Sequence, residues 1–416
     1  MKRVVEKGKT LLVSGPASIR LLSGEAEIFG AALKAEDRVL IREGRRMPLE
    51  AHQRAEFELM LGENVSLEEV DGSTIPSSWR NAVEQIFSCE EKVTIMVMGG
   101  VDSGKTSLCT YLVNKALKEK RKVAIIDADL GQSDIGPPAT IGVGRTNASI
   151  KDLFEVETEN AVFVGLTSPS GAVERVMEGI ARLKRYAIES GADFLIINTD
   201  GWVEGENAVQ YKVQLTERVE PDFVVGIQHA EEMEPILTAL GGPKVLAVES
   251  SSAVWRRDRD KRKALRELGY KKYLKGARVQ SFVSGWVNVK DAPIGSGGPV
   301  SLERLGRIRD LLGISPLHCE ETPNALSLVL RKNQWVEGDR IESAERNFGK
   351  KVKIFREGDE EGLLVALQDA NGKFLGIGVL CEIDCKRRTF KIYTSVSKDV
   401  ATISVGQIRL DENCRE

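Results

Sequence analysis

The residues best suited to chemistry in this chain form a short loop at positions 99–106. The loop fits the pattern G-x-x-x-x-G-K-[ST], in which glycines let backbone N–H groups approach phosphate oxygens. Lys105 is placed to reach the β- and γ-phosphates, and the Thr106 hydroxyl is a suitable ligand for Mg²⁺. A helix that starts at the loop adds positive potential at its N-terminus. The pattern therefore predicts a nucleoside triphosphate site made of Gly99, Gly100, Val101, Asp102, Ser103, Gly104, Lys105, Thr106 and Ser107.

A pair of acids follows an apolar, strand-like run at positions 122–126. Asp127 and Asp129 are two residues apart, so on a strand they share a face. Carboxylates in such a place support Mg²⁺ through water or accept a proton from an attacking hydroxyl. We therefore predict Asp127 and Asp129, with Thr106, as metal residues, Asp129 as the catalytic group that accepts the proton, and Gln132 as a group that orients the nucleophile. A surface turn is the alternative interpretation.

A tryptophan follows another predicted strand, at positions 193–198. The segment T-D-G-W at 199–202 puts Trp202 at the carboxyl end of that strand, beside a glycine and Thr199. A base stacked on such a ring gains roughly 1–3 kcal/mol. Core packing is the alternative interpretation for Trp202, so this segment alone leaves the choice between the two open.

A basic run at positions 255–275 is the fourth feature. It is dense in Arg and Lys, with acids only at Asp258, Asp260 and Glu267, although the whole chain has a net charge of −3. Arginines in this run can neutralise charge on a transferring phosphoryl group or bind a polyanion. A solvated helix face is the alternative. We favour a lid that faces the phosphates.

The elements that must position these residues follow from periodicity. Residues of about 90 to 290 alternate apolar strand-like runs with helical patterns, which predicts a parallel sheet covered on both faces, with ligands at the carboxyl ends of its strands. Short alternating runs before residue 88, and again after a glycine-rich joint at 295–298, predict β-rich modules. The predicted fold class is α/β, with a central P-loop NTPase domain (89–294, lid at about 255–275) between small β-rich domains (1–88 and 295–416).

Composition excludes some classes of protein. The 416 residues are 42% hydrophobic with a pI of about 6.0, so any affinity for nucleic acid must come from a local patch. An apolar run of about 18 residues is missing, and the N-terminus lacks the apolar core of a signal peptide. We expect a soluble, cytoplasmic protein without a membrane partner. Cys381 and Cys385 form the closest cysteine pair, which is more compatible with a strand–turn–strand or a disulfide than with a zinc site.

Together these motifs resemble the polynucleotide 5′-hydroxyl kinase family, which includes the kinase subunit of eukaryotic pre-mRNA cleavage factor II, the pre-rRNA-processing kinases and archaeal relatives. The family has a loop of the form G-x-x-D-x-G-K-[ST], an acidic motif D/E-x-D-x-G-Q, a clasp T-x-G-W and an arginine lid. The first three patterns match positions 99–106, 127–132 and 199–202, and Arg257 and Arg262 match the lid best. The segment A-E-I-F-G at 26–30 is similar to the first domain of the family.

The resemblance implies transfer of the ATP γ-phosphate to the 5′-hydroxyl end of RNA, with DNA left open and Mg²⁺ as the metal. It implies Lys105, Asp129, Arg257 and Arg262 as catalytic residues, Glu27 near the adenine, and Gln132, Thr199 and Trp202 as substrate-binding residues. Three alternatives stay open: an ATP-binding scaffold subunit of an RNA-processing complex without turnover, a P-loop ATPase or GTPase switch, and a small-molecule kinase. Protein partners are left open as well.

Overall fold

The computed structural model describes residues 1–255, 257–292, 294, 297–384 and 387–416. Three predicted features have members outside the described residues: Arg256 of the basic run, Gly295 and Ser296 of the glycine-rich joint, and Cys385 of the cysteine pair. The chain divides into two compact units, residues 1–269 and residues 270–416. Among the described residues, the structure contains no helix long and apolar enough to span a membrane.

The first unit begins with two antiparallel sheets, as the alternating runs predict. Their orders are β1-β8-β3-β6 and β5-β4-β7-β2-β9. In β3 and β8 every second side chain is buried, for example Ile19, Leu21, Phe57 and Leu59, which is the pattern of strands with one face on a core. The strands are β1 (Lys2–Val5), β2 (Lys9–Ser14), β3 (Ala17–Ser23), β4 (Ala26–Ile28), β5 (Ala31–Leu33), β6 (Arg38–Ile41), β7 (Arg46–Ala51), β8 (Ala55–Leu61) and β9 (Leu67–Asp71).

A seven-stranded sheet of order β13-β12-β11-β14-β10-β15-β16 follows. Its elements are α1 (Ser77–Phe87), β10 (Val93–Gly99), α2 (Lys105–Lys118), β11 (Val123–Asp127), β12 (Thr140–Thr146), β13 (Asn160–Phe163), α3 (Val173–Glu189), β14 (Phe194–Asn198), α4 (Glu206–Val219), β15 (Phe223–Gln228), α5 (Glu234–Leu237), β16 (Lys244–Glu249) and α6 (Arg259–Tyr273). The prediction of a parallel sheet holds for β11, β14, β10, β15 and β16.

The sheet is antiparallel at one edge, where the sequence predicts parallel strands. β12 pairs antiparallel with β11, and β13 pairs antiparallel with β12. A parallel return needs a crossover of a dozen or more residues, usually a helix. Residues 128–139, all of which the structure describes, form an irregular loop instead of a helix, so the chain folds directly back beside β11.

The central strand β10 is buried along its whole length because helices cover both faces of the sheet. Ile95 and Val97 belong to a core cluster that includes residues of α1 and α2, whereas Met96 and Met98 belong to a cluster with residues of α3 and α4. Alternate side chains of one strand thus enter opposite layers, as a doubly covered sheet requires. This packing fixes the carboxyl end of β10, where the predicted phosphate loop starts.

The second unit contains a six-stranded sheet of order β17-β25-β24-β23-β26-β18 and a four-stranded sheet of order β19-β20-β21-β22. Its elements are β17 (Arg278–Val283), β18 (Asn288–Lys290), β19 (Gly298–Pro299), α7 (Leu302–Leu312), β20 (His318–Glu321), β21 (Ala325–Leu330), α8 (Gly338–Phe348), β22 (Lys351–Arg356), β23 (Leu363–Gln368), β24 (Phe374–Asp384), β25 (Thr389–Thr394) and β26 (Thr402–Arg409).

Strands β17 and β18 change the predicted division of the chain. The sequence assigns residues up to 294 to the central domain, but β17 pairs with β25 and β18 pairs with β26. Their hydrogen bonds therefore join them to the C-terminal sheet, and the second unit starts at Tyr270. Each of these strands pairs with a strand that lies more than a hundred residues later in the chain, and local periodicity cannot predict such a pairing.

Candidate active site

The loop at 99–106 connects β10 to α2, as its pattern predicts. Gly104 is the N-cap of α2 and has a φ of 101°, a conformation that side chains with a Cβ rarely adopt. A Cβ at this position would also lie 3.2 Å from Val254 Cγ2. Lys105 is buried, and its Nζ donates hydrogen bonds to the carbonyl oxygens of Gly99 (3.0 Å) and Gly100 (2.7 Å). Burial lowers the pKa of Lys105 below its ordinary value.

A cavity lies directly over this loop, and its walls come from three parts of the first unit. Besides residues 101–107, the lining comprises Phe29, Gly44, Arg45 and Arg46 from the N-terminal sheets, Asp129 and Gln132 from the acidic loop, and Ser251, Ala253, Val254, Trp255 and Arg257 from the segment after β16. Glu27, which the resemblance places near the adenine, does not line this cavity in the part of the chain that the structure describes. It lies on β4, with Oε2 3.2 Å from His52 Nε2.

Arg45 and Arg46 are site residues that the sequence analysis does not identify. Arg45 lies in the link between β6 and β7, Arg46 is the first residue of β7, and the signal was the short basic cluster at 42–46. Arg45 is held by ion pairs with Asp134 and Asp152, and Arg46 by an ion pair with Glu68. In the part of the chain that the structure describes, the buried Nε of Arg46 and the buried Oγ of Ser103 have no hydrogen-bond partner. Two unused donors and two guanidinium groups beside a phosphate loop match the oxygens of a triphosphate, so the cavity fits a nucleotide.

Asp127 is directed into the fold instead of into the cavity. Its Oδ2 accepts hydrogen bonds from the backbone N–H groups of Asp134 (2.6 Å) and Ile135 (3.2 Å), and its Oδ1 accepts from Asn198 Nδ2 (2.9 Å). Burial and the nearby carboxylate of Asp134 raise the pKa of Asp127 to about 7. Asp127 therefore shapes the loop that presents Asp129, and its predicted contact with a metal has no counterpart in this geometry.

Asp129 lines the cavity, and the backbone of its own loop holds its carboxylate. Oδ1 accepts hydrogen bonds from the N–H groups of Gly131 (3.2 Å) and Gln132 (3.0 Å). Burial raises the pKa of Asp129, and the nearby positive charge of Lys105 opposes that rise. Gln132 donates from Nε2 to the carbonyl oxygen of Arg262 (3.0 Å), so its amide connects the acidic loop to α6. The described residues contain no ready-made cluster of three metal-ligating side chains.

The two predicted lid arginines both reach the phosphate loop. Arg257 donates to Asp102 from its backbone N (2.9 Å) and from Nε (2.8 Å), and its Nη2 lies 2.7 Å from Asp102 Oδ1. Arg262 Nη1 lies 3.5 Å from Asp102 Oδ2 and donates to the carbonyl oxygen of Arg257 (2.6 Å). Asp102 therefore joins the start of the basic run to the phosphate loop.

Trp202 lines a second cavity, of about 440 Å³. Its ring stacks on Tyr211, with 5.5 Å between ring centroids and an interplanar angle of 23°. Thr199 is placed differently from the prediction: it is fully buried, and its hydroxyl donates to the carbonyl oxygen of Val97 on β10 (2.9 Å). The lining also includes residues 167–170, T-S-P-S, which the sequence analysis does not identify.

The two cavities share Val101, Asp129 and Gln132 as lining residues. The Asp129 carboxylate thus lies between two pockets. One is suited to a triphosphate, and the other is lined by Trp202, Arg262 and Arg266. This arrangement suits in-line transfer of a phosphoryl group from a nucleotide to a hydroxyl at the end of a polyanion.

Comparisons with known proteins agree with this chemistry. Residues 99–276 match the family model described as mRNA cleavage and polyadenylation factor CLP1 P-loop. A polyribonucleotide 5′-hydroxyl-kinase of Pyrococcus furiosus is 30% identical over 344 residues, which cover 82% of this chain and 94% of that protein. A protein of the same description from Methanocaldococcus jannaschii is 28% identical over 348 residues, with 82% and 94% covered.

A solved structure supports the fold over the whole chain. The wild-type Clp1p–Pcf11p complex contains a chain that aligns with a TM-score of 0.68 and 15% identity. The alignment covers 98% of this chain and 97% of that chain. The similarity therefore includes the flanking β-rich parts as well as the central sheet.

Proposed function

The chain belongs to the CLP1 P-loop family, which includes archaeal polyribonucleotide 5′-hydroxyl-kinases. From this premise, we propose that the protein transfers the γ-phosphate of ATP to the 5′-hydroxyl end of RNA. The observation that carries the proposal is the shared wall between the two cavities. Asp129 borders both the pocket over the phosphate loop and the pocket beside Trp202. A donor phosphate and an acceptor hydroxyl can therefore meet at one carboxylate.

The phosphate loop supports binding of the donor. Lys105 Nζ is bonded to two loop carbonyls and can exchange them for oxygens of the β- and γ-phosphates. Arg45 and Arg46 line the same pocket and add positive charge beside the phosphate loop. Mg²⁺, when bound, would neutralise charge on the phosphate oxygens, and the Thr106 hydroxyl is the residue we expect to hold it. Because the other Mg²⁺ ligands are commonly water and phosphate, no cluster of carboxylates is required.

Asp129 supports activation of the acceptor. Its carboxylate would accept the proton of the 5′-hydroxyl while that oxygen bonds to the γ-phosphorus and the bond to the β–γ bridging oxygen breaks, releasing ADP. Burial raises the pKa of Asp129, which brings it closer to the pKa at which a general base works best near neutral pH. Arg257 and Arg262 would then place positive charge over the transferring group, a role for which their attachment to Asp102 holds them close.

Trp202 supports selection of a polynucleotide instead of a small acceptor. Its ring is half-buried, with Tyr211 against it and the acceptor cavity beside it. Stacking of the first base is tolerant of sequence, which suits an enzyme that recognises an RNA end. The scaffold alternative is less well supported because this chain retains Lys105, Asp129 and the arginine lid.

The proposal is tested with γ-labelled ATP and 5′-hydroxyl RNA, 5′-hydroxyl DNA, 5′-phosphorylated RNA and nucleosides as acceptors. We expect label on 5′-hydroxyl RNA and none on the phosphorylated control, and the DNA arm measures the preference between the two polymers. Lys105→Ala should abolish transfer while far-UV circular dichroism stays unchanged. Bound ATP without transfer to any acceptor would refute the kinase function and favour a scaffold, whereas transfer to nucleosides alone would indicate a small-molecule kinase.

A further inference from the structure

We propose that Lys212 is a positioning residue for the acceptor: through a buried ion pair with Asp200, it fixes Trp202 relative to the phosphate loop. The inference rests on the proposed function, because it concerns how the first nucleotide is presented to Asp129. Lys212 lies on α4, away from every motif in the sequence. It touches neither the nucleotide pocket nor the acceptor cavity as described, so it acts through Asp200.

Lys212 is charged and completely buried. Its exposed fraction is 0%, although burial of an ammonium group has an effective cost of several kcal/mol unless partners compensate it. The partners are present: Nζ lies 3.0 Å from Asp200 Oδ2, 3.2 Å from the carbonyl oxygen of Asp200 and 3.3 Å from Thr199 Oγ1. These three acceptors match the three donors of an ammonium group. The contacts all go to the segment that leads to Trp202.

Asp200 transmits this restraint to the tryptophan by two routes. Its Oδ1 accepts a hydrogen bond from the backbone N–H of Trp202 (2.9 Å). Its Oδ2 accepts from the hydroxyl of Tyr211 (2.9 Å), and the Tyr211 ring stacks on Trp202. One carboxylate therefore holds both the backbone of the tryptophan and the ring packed against its plane.

The same segment packs directly on the phosphate loop. A Cβ added to Gly201 would lie 2.7 Å from Val101 Cγ2 and 2.9 Å from the backbone N of Val101. The glycine between Asp200 and Trp202 thus allows close approach to the loop that binds the donor. A shift of Asp200 would change the distance between the Trp202 ring, on which we propose the first base stacks, and the γ-phosphate of ATP. Small shifts of this kind reduce phosphoryl transfer strongly.

A purely stabilising role explains this arrangement less well. Replacing a buried ion pair by apolar residues is often neutral or stabilising, so such a pair is weak evidence for a contribution to stability. Helix α4 is already anchored by buried apolar residues, among them Ala208, Leu215 and Val219. What the ion pair adds is a single orientation of the segment at 199–202.

The test compares four proteins by two measurements. The proteins are the wild type, Lys212→Met, the double variant Lys212→Met with Asp200→Leu, and the matched control Arg218→Met, which removes an exposed cation from the same helix. The measurements are the Kd for a fluorescent 5′-hydroxyl RNA by anisotropy and the separate KM values for RNA and ATP. Thermal denaturation reports the stability of each protein.

We expect Lys212→Met to raise the Kd and KM for RNA about tenfold, with the KM for ATP nearly unchanged, because part of the stacking energy is lost. The double variant lacks the unpaired buried carboxylate that Lys212→Met leaves, so its Tm should rise above that of Lys212→Met, whereas RNA binding should stay weak because nothing holds the Trp202 N–H and the Tyr211 hydroxyl. Arg218→Met should match the wild type. Recovery of RNA affinity together with Tm in the double variant would overturn the inference, since it would show a structural role alone.

Failure of the inference differs from failure of the proposed function. Wild-type transfer to RNA, with an unchanged RNA Kd in a folded Lys212 variant, removes only the role of Lys212. RNA binding without transfer by the wild type refutes the kinase function, and the Kd comparison still decides whether Lys212 positions the clasp. A wild type that does not bind 5′-hydroxyl RNA overturns both.

Discussion

Replacement of Trp202 by alanine is the most direct probe of the acceptor cavity. The ring is half-buried: Tyr211 packs on it at 5.5 Å between centroids, and the ring also lines the cavity that reaches Asp129. Trp202→Ala removes the stacking plate but leaves the backbone N–H that Asp200 holds. We therefore expect weaker capture of RNA and little change in ATP binding, because Trp202 is outside the lining of the nucleotide pocket as described.

The size of the effect follows from base stacking. One base on one aromatic ring is worth roughly 1–3 kcal/mol, and about 1.4 kcal/mol corresponds to a tenfold change in affinity. The KM for 5′-hydroxyl RNA should therefore rise by a factor of roughly 5 to 140. Its value for ATP should stay within about twofold, since the stacking energy concerns the acceptor alone.

Initial rates at varied RNA and at varied ATP give both constants from one preparation. Trp335→Ala is the matched control, because Trp335 is 74% exposed and belongs to the second unit, so its loss reports the general effect of removing a tryptophan. The reasoning is refuted if Trp202→Ala raises both KM values equally, or lowers Tm while RNA binding stays normal. Either result would assign Trp202 to core packing, the alternative that the sequence left open.

Three further predictions concern the donor side and the fold. Asp129→Asn keeps the volume but removes the proton acceptor, so kcat should fall about 10²–10⁴-fold in the transfer assay while ATP still binds; loss of ATP binding would assign Asp129 to structure. Asp102→Asn weakens charged hydrogen bonds to Arg257, each worth roughly 1.5–3 kcal/mol, so kcat should fall more than about tenfold while far-UV circular dichroism still shows the folded protein; a normal kcat would contradict the lid. Asn114→Leu leaves three buried backbone groups without their partner, which should lower the free energy of unfolding in urea by about 3 kcal/mol or more, unlike Asn81→Leu on the exposed face of α1.

Features defined by neighbouring residues were predictable from the sequence. The phosphate loop, its strand and its helix follow from a glycine pattern between an apolar run and a helical period, which depend on residues only a few positions apart. The acidic strand end and the basic run are local features as well. Their meeting at one edge of the sheet followed because parallel strands end on the same side.

The direction in which each side chain points was decided by packing. Asp127 and Asp129 share a motif, yet Asp127 turns inward because Asn198 and three backbone N–H groups bind its carboxylate. Thr199 likewise turns its hydroxyl to β10. Spacing along a strand does not specify these contacts, because the partners come from other elements.

By itself, the sequence determined the chemistry: a phosphate loop, a nearby acid, an aromatic plate and a cationic lid, each encoded within a short stretch. Only the tertiary structure decided which residues complete the site. It brought Arg45 and Arg46 from the N-terminal sheets to the phosphate loop, and it placed Lys212 beneath the clasp. The physical reason is that a local pattern constrains backbone conformation over a few residues. Contacts between residues far apart depend on how whole elements fill space and satisfy buried charge.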